Sequence, residues 1–340
     1  MTILPPSLLS RFRGAVLGSF LGEAVGISLS RGLATGSSAF RSSSLYPSGE
    51  PHQSEATHEA STWVKLQHQL LQQLIASAAM SATPARQPIL LQLPADANSH
   101  TSLLAELALM TLPVALLYHD QPQQMHFYLE QAITAAALSV NVSPVAVIGA
   151  RVVGQCLSLM LRQRFETTQL IPQLLRDLDW ESAHLPQPFP PPQAVLVEQL
   201  AQVQDWLTER IHPPLSQLAA ALVCRSEVPP ALDPAPIALA LFSFLSTPEA
   251  FAVTVRRAAQ LGVQSRITAS LAGALGGAYS GLAGIPLPWR RIGAGSLEAE
   301  LMQSADELLA VWAGANQPSQ WLQQPLALTV VAAPRAIRHH

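Results

Sequence analysis

Residues Leu261–Trp289 read LGVQSRITASLAGALGGAYSGLAGIPLPW, a polar turn followed by a glycine–alanine helix that stops at Ile285-Pro286. Ala269, Gly273, Gly277 and Gly281 recur every four residues, so they fall in one stripe on a helix. A glycine in a helix interior costs about 1 kcal/mol relative to alanine. Its repetition therefore implies that another backbone approaches closely along the stripe. Arg13–Gly26, RGAVLGSFLGEAVG, supplies the partner, with Gly14, Gly18, Gly22 and Gly26 at the same spacing. The two stripes predict paired glycine-lined helices at the centre of an all-α fold, with any chemistry at their ends.

The rest of the chain fits a single compact multi-helix domain. Of its 340 residues 49% are apolar and 12% charged, with a formal net charge of −3, so a large core lies under a sparsely charged surface. Lys65 is the only lysine and no basic run occurs. That balance argues against a nucleic-acid footprint and against an anionic membrane as partner. Cys156 and Cys224 both sit in apolar helical contexts and read as buried thiols. The N-terminus lacks a secretory pattern. Leu103–Tyr118 is apolar but interrupted by Glu106 and Pro113, too short and broken for a membrane span. The expected location is the cytoplasm.

Taken in order, the first striped helix ends at Gly26, and Ser- and Gly-rich residues 28–55 read as a long loop. A helix runs from about Ala56 to Ser77, with Trp63, Leu66, Leu70, Leu71 and Leu74 on one face. Met80–His100 reads as a linker. Pro113 predicts a kink or two short buried helices. Asp120 is placed to cap a helix reaching about Leu138, and Asn141–Pro144 to start one over Val145–Arg164. Proline-rich 185–193 is a connector, followed by helices over Val195–Glu209, Leu215–Cys224 and Ile237–Leu245. Thr247-Pro248-Glu249 carries the signals of a helix start, with Thr247 as cap, for a helix to Gln260. Ser296 opens a last helix to about Ala313. The domain is expected over residues 1–316, with 317–340 a flexible or edge-strand tail.

Four segments resemble the ADP-ribosylglycohydrolase family, of the dinitrogenase reductase-activating glycohydrolase type. RFRGAVLGSFLGEAVG (Arg11–Gly26) is similar to that family's RFRGALLGLAIGDALG start. LALMTLPVALLYHDQPQQM (Leu107–Met125) resembles a segment of the type LMRIAPLALLY. PIALALFSFLSTPEAFAVTVRRAAQLG (Pro236–Gly262) resembles the helix pair before the family's metal loop. ASLAGALGGAYSGLAGIPLPW (Ala269–Trp289) resembles its AGALAGALYGLEGIPEEW pattern. The resemblance implies an all-α domain that holds two divalent cations, usually magnesium, and cleaves N- or O-glycosidic bonds of ADP-ribose. Oxygen ligands suit such a hard cation, which activates water and orients substrate.

Carried over by position, the implied ligands are largely replaced. The family's aspartate-threonine-aspartate-threonine motif falls on Gln264, Ser265, Arg266 and Ile267, which contain no carboxylate. Its threonine-aspartate-aspartate-threonine motif falls on Thr57, His58, Glu59 and Ala60, with Glu59 the one acid. An acidic position past the first glycine turn is Ser30, and the turn's aspartate is Glu23. The histidine-bearing turn corresponds to Val140–Pro144, which has no histidine. The arginine of the LMRIAP-type segment corresponds to Met110 or Thr111. A magnesium pair needs its ligand count and negative charge, so neither a metal nor another cofactor is expected. His58 and Glu59 also lack the spacing of a zinc motif.

Arg266 has three readings. It replaces the cation by facing Glu59 or Glu23, it holds an anion in the old cleft, or it is a loop arginine that only seals the cleft. Glu23 reads either as part of that arrangement or as a helix-end hydrogen-bonding group. The expected function is binding or regulation by a pseudoenzyme, with Arg266, Glu59 and Glu23 as ligand-binding residues. The partner is an unidentified protein or an anionic small molecule such as ADP-ribose. The alternatives are an active hydrolase with a rearranged site and a structural subunit of a larger assembly.

Overall fold

The structure is a computed structural model that describes residues 5–34, 62–80, 103–140, 147–183, 191–209, 214–223, 232–292 and 296–314. Among the described residues the elements are helices, with no strand, as the all-α reading requires. They are α1 (Leu8–Ala34), α2 (Thr62–Met80), α3 (Leu103–Met110), α4 (Leu112–Leu117), α5 (Pro122–Val140), α6 (Val147–Leu161) and α7 (Leu170–Ala183). There follow α8 (Pro191–Thr208), α9 (Leu215–Val223), α10 (Ala235–Ser246), α11 (Phe251–Gln260), α12 (Ser265–Gly284), α13 (Leu287–Ile292) and α14 (Ser296–Trp312).

α1 and α12 form the central pair and run antiparallel. Gly14 lies against Gly277, Gly18 against Gly273, Gly22 against Ala269, and Gly26 against Ser265 and Arg266. A Cβ added at Gly18 would come within 3.0 Å of the Gly273 carbonyl, so only glycine permits this backbone separation. α10 and α11 pack on α12, α14 packs on α1 and α2, and α3 and α4 pack on α6. One hydrophobic cluster runs through the assembly from Phe12 to Trp312. Arg13 on α1 ties α14 in place, its Nε and Nη2 each 2.5 Å from a carboxylate oxygen of Asp306.

Several boundaries differ from those read in the sequence. Gly281 still lies against α1, beside Gly14 and Ser10, but at φ 67° and ψ −178° it breaks the last turn of α12. The break lets the Leu282 N–H donate to Ser10 Oγ at 3.0 Å. α1 does not end at Gly26 but runs to Ala34, through residues that read as loop. Thr247 does not cap α11, because it terminates α10 instead. Its carbonyl accepts from Thr254 Oγ1 at 2.9 Å, and Ala250 precedes α11 without a side-chain cap. Asp120 does not cap α5 through its Oδ1, which is buried without a partner, and the Gln121 carbonyl takes the first helical N–H. Pro191–Gln193 belongs to α8 rather than to the connector. Pro113 does produce two short buried helices, separated at Thr111. Met80, the expected start of the linker, is the last residue of α2; the rest of that linker, the Asn141–Pro144 cap and the tail from 317 lie outside the described residues.

α1 is the one described helix long and apolar enough to cross a bilayer, over Leu8–Leu29, and 61% of that window is buried inside the fold. It serves here as a core helix. Cys156 is wholly buried in α6, and burial raises its thiol pKa far above the ordinary value. Iodoacetamide should therefore leave Cys156 unmodified in the native protein and alkylate it only in denaturant, as read by peptide mass spectrometry. Rapid native alkylation would contradict the packing of α6.

Candidate functional site

The polar cleft lies where the second half of α1 passes the first turn of α12. The chain enters α12 through Gly262 (φ 75°) and Gln264 (φ 43°, ψ 51°), both left-handed. The Gln264 carbonyl accepts the N–H groups of Ile267 and Thr268 at 2.8 and 3.1 Å. Thr268 Oγ1 donates to the Val263 carbonyl at 2.7 Å, fastening the turn to the helix. This geometry buries Ser265 and Ile267 and turns Arg266 toward α1.

Arg266 Nε stands 3.5 Å from Glu23 Oε1, an ion pair in which the glutamate side chain is 8% exposed and the arginine 37%. The separation exceeds that of a charge-assisted hydrogen bond, which is about 2.7–2.9 Å. Beside the pair is a small open pocket of about 240 Å³, mouth included, walled by Trp63, Val64, Leu109 and Ile267. Gln67 and Ser270 supply further polar groups. Ser270 Oγ donates to the Ser19 carbonyl at 2.8 Å and lies 3.0 Å from Ser19 Oγ. Ser19 Oγ in turn donates to Gln67 Oε1 at 3.5 Å, while Gln67 Nε2 is buried without any partner.

The residues named from the sequence are thus only partly brought together. Glu23 and Arg266 meet across the α1–α12 seam. Ser265 begins α12 and Gln264 precedes it, neither lining the pocket. Ser30 falls in the last turns of α1. Thr57, His58 and Glu59 lie outside the described residues. Met110 and Thr111 are buried and do not line the pocket. Sequence reading missed Gln67, Ser19 and Ser270. Gln67 had one visible signal, a polar residue on the apolar face of α2 at helical spacing from Trp63, Leu70 and Leu71.

The described donor set does not fit a pair of hard cations. Among the described residues Glu23 is the one carboxylate at the pocket, and a guanidinium already opposes it. Among the described residues no group of three or more His, Cys, Asp or Glu side chains converges on a metal-sized space. Magnesium takes about six oxygen ligands, several of them water, and each ion of a pair needs about one or two protein carboxylates.

This helical fold around a glycine seam, with a polar cleft at one end, belongs to a defined class. The ADP-ribosylglycohydrolase family model matches residues 4–318, and the chain belongs to that family. No curated protein matches it.

Proposed function

We infer that this ADP-ribosylglycohydrolase-like protein has kept the family scaffold, lost metal-dependent hydrolysis and acts by binding. Its ligand is a partner protein or an anionic small molecule such as ADP-ribose. The observation that supports the reading is the Arg266–Glu23 pair. The resemblance expects a metal-binding aspartate at position 266, and a permanent cation stands there instead. A divalent ion entering beside Arg266 would meet like charge and would compete with the guanidinium for the Glu23 carboxylate.

The test is release of ADP-ribose from ADP-ribosylated protein, with added Mg²⁺ and with chelator. No turnover above background is expected in either condition. Release that requires Mg²⁺ and disappears with chelator would sink the binding reading and establish a hydrolase with a rearranged site. Thermal unfolding run in parallel should show no Mg²⁺-dependent rise in midpoint.

A further inference from the structure

The geometry points to a subsite for one oxyanion, a phosphate or carboxylate group, held between Gln67 and Arg266 at the first turn of α12. It rests on the reading of the cleft as a binding site. Two sets of unused donors converge there. Gln67 is 4% exposed, lines the pocket, and its Nε2 has no acceptor. Arg266 makes its ion pair to Glu23 through Nε at 3.5 Å and forms no hydrogen bond among the described residues. A buried amide with unmade hydrogen bonds opposes folding and calls for an acceptor from outside the chain, a water or a ligand oxygen. The guanidinium offers a planar fork suited to a carboxylate or phosphate.

Glu23 lines the same pocket, and Arg266 offsets its carboxylate; the other surroundings favour an anion. The first turn of α12 presents its positive end at this pocket. Trp63, Val64 and Ile267 form an apolar wall beside these donors. Ser19 occupies the oxygen end of the Gln67 amide, which leaves the nitrogen end for a ligand. The pocket, at about 240 Å³ most of which is open mouth, has no room for a whole nucleotide.

The experiment measures thermal unfolding of the full chain with chelator present. The probes are inorganic phosphate, pyrophosphate and acetate, each against chloride at matched ionic strength. At millimolar concentrations at least one probe should raise the midpoint of the wild type by about 2 °C or more. Phosphate against acetate tells which source of oxyanion fits. Gln67→Leu should unfold at the same or a higher temperature without probe, because it removes an unsatisfied amide, and should lose the probe response. Arg266→Ala should also lose the response. Absence of any shift in the wild type overturns the subsite. So does a Gln67→Leu variant that is less stable yet keeps the full shift, since Gln67 would then serve packing. Chelator-sensitive release of ADP-ribose together with a Gln67-dependent shift would overturn the functional reading and leave the subsite standing.

Discussion

Gly277→Ala is expected to destabilise the protein by about 3 kcal/mol, whereas Gly276→Ala, one residue earlier, should leave it equally stable or slightly more so. The difference is one of facing. A Cβ at Gly277 would fall within 3.0 Å of the carbonyl of Gly14 on α1. That obstacle is backbone and cannot rotate away. α1 would have to lift, and lifting it would open the seam at Gly18 and Gly22 as well. A Cβ at Gly276 would sit 3.4 Å from the ring edge of Phe251, an ordinary contact. There the added methyl restricts the unfolded chain and favours the helix by about 0.5–1 kcal/mol. Urea midpoints of the two variants test this directly, and equal midpoints would mean that the seam is looser than its geometry.

Asp306→Ala should cost about 2–3 kcal/mol, less than a wholly buried pair because the partner is partly solvated. The Asp306 side chain is 12% exposed and that of Arg13 28%, and the contact is bidentate at 2.5 Å on both arms. Removing the carboxylate leaves a guanidinium on α1 without its partner and removes one tie between α14 and the central pair. The double variant Arg13→Met/Asp306→Leu should recover much of the loss, since no unpaired charge then remains. A double-mutant cycle over the two positions should give a coupling above about 1 kcal/mol. Simple additivity would show that the pair adds nothing beyond its individual packing.

The site was half legible. Arg266 and Glu23 could be picked out because the family resemblance carries its metal-motif positions onto the ends of the two glycine-striped helices. Which acid Arg266 faces was not legible, since a sequence gives no distance between the end of α1 and the start of α12. The structure assigns it Glu23. Gln67, Ser19 and Ser270 come from three different helices and acquire their meaning from proximity alone. Helix starts failed where local capping chemistry competed with tertiary packing. Thr247 carries a strong start signal, yet its carbonyl accepts from Thr254 and it closes α10.

The sequence by itself determined the all-α class and the pairing of α1 with α12, because a four-residue glycine period has one strong physical explanation: close contact of two helix backbones. It also determined that a cation, Arg266, stands where the family resemblance expects an acid. Only the tertiary structure decided that Gly281 breaks the helix, that Glu23 receives Arg266, and that the Gln67 amide is buried without an acceptor. Those three facts depend on distances between segments far apart in the chain, and such distances are set by packing rather than by local periodicity.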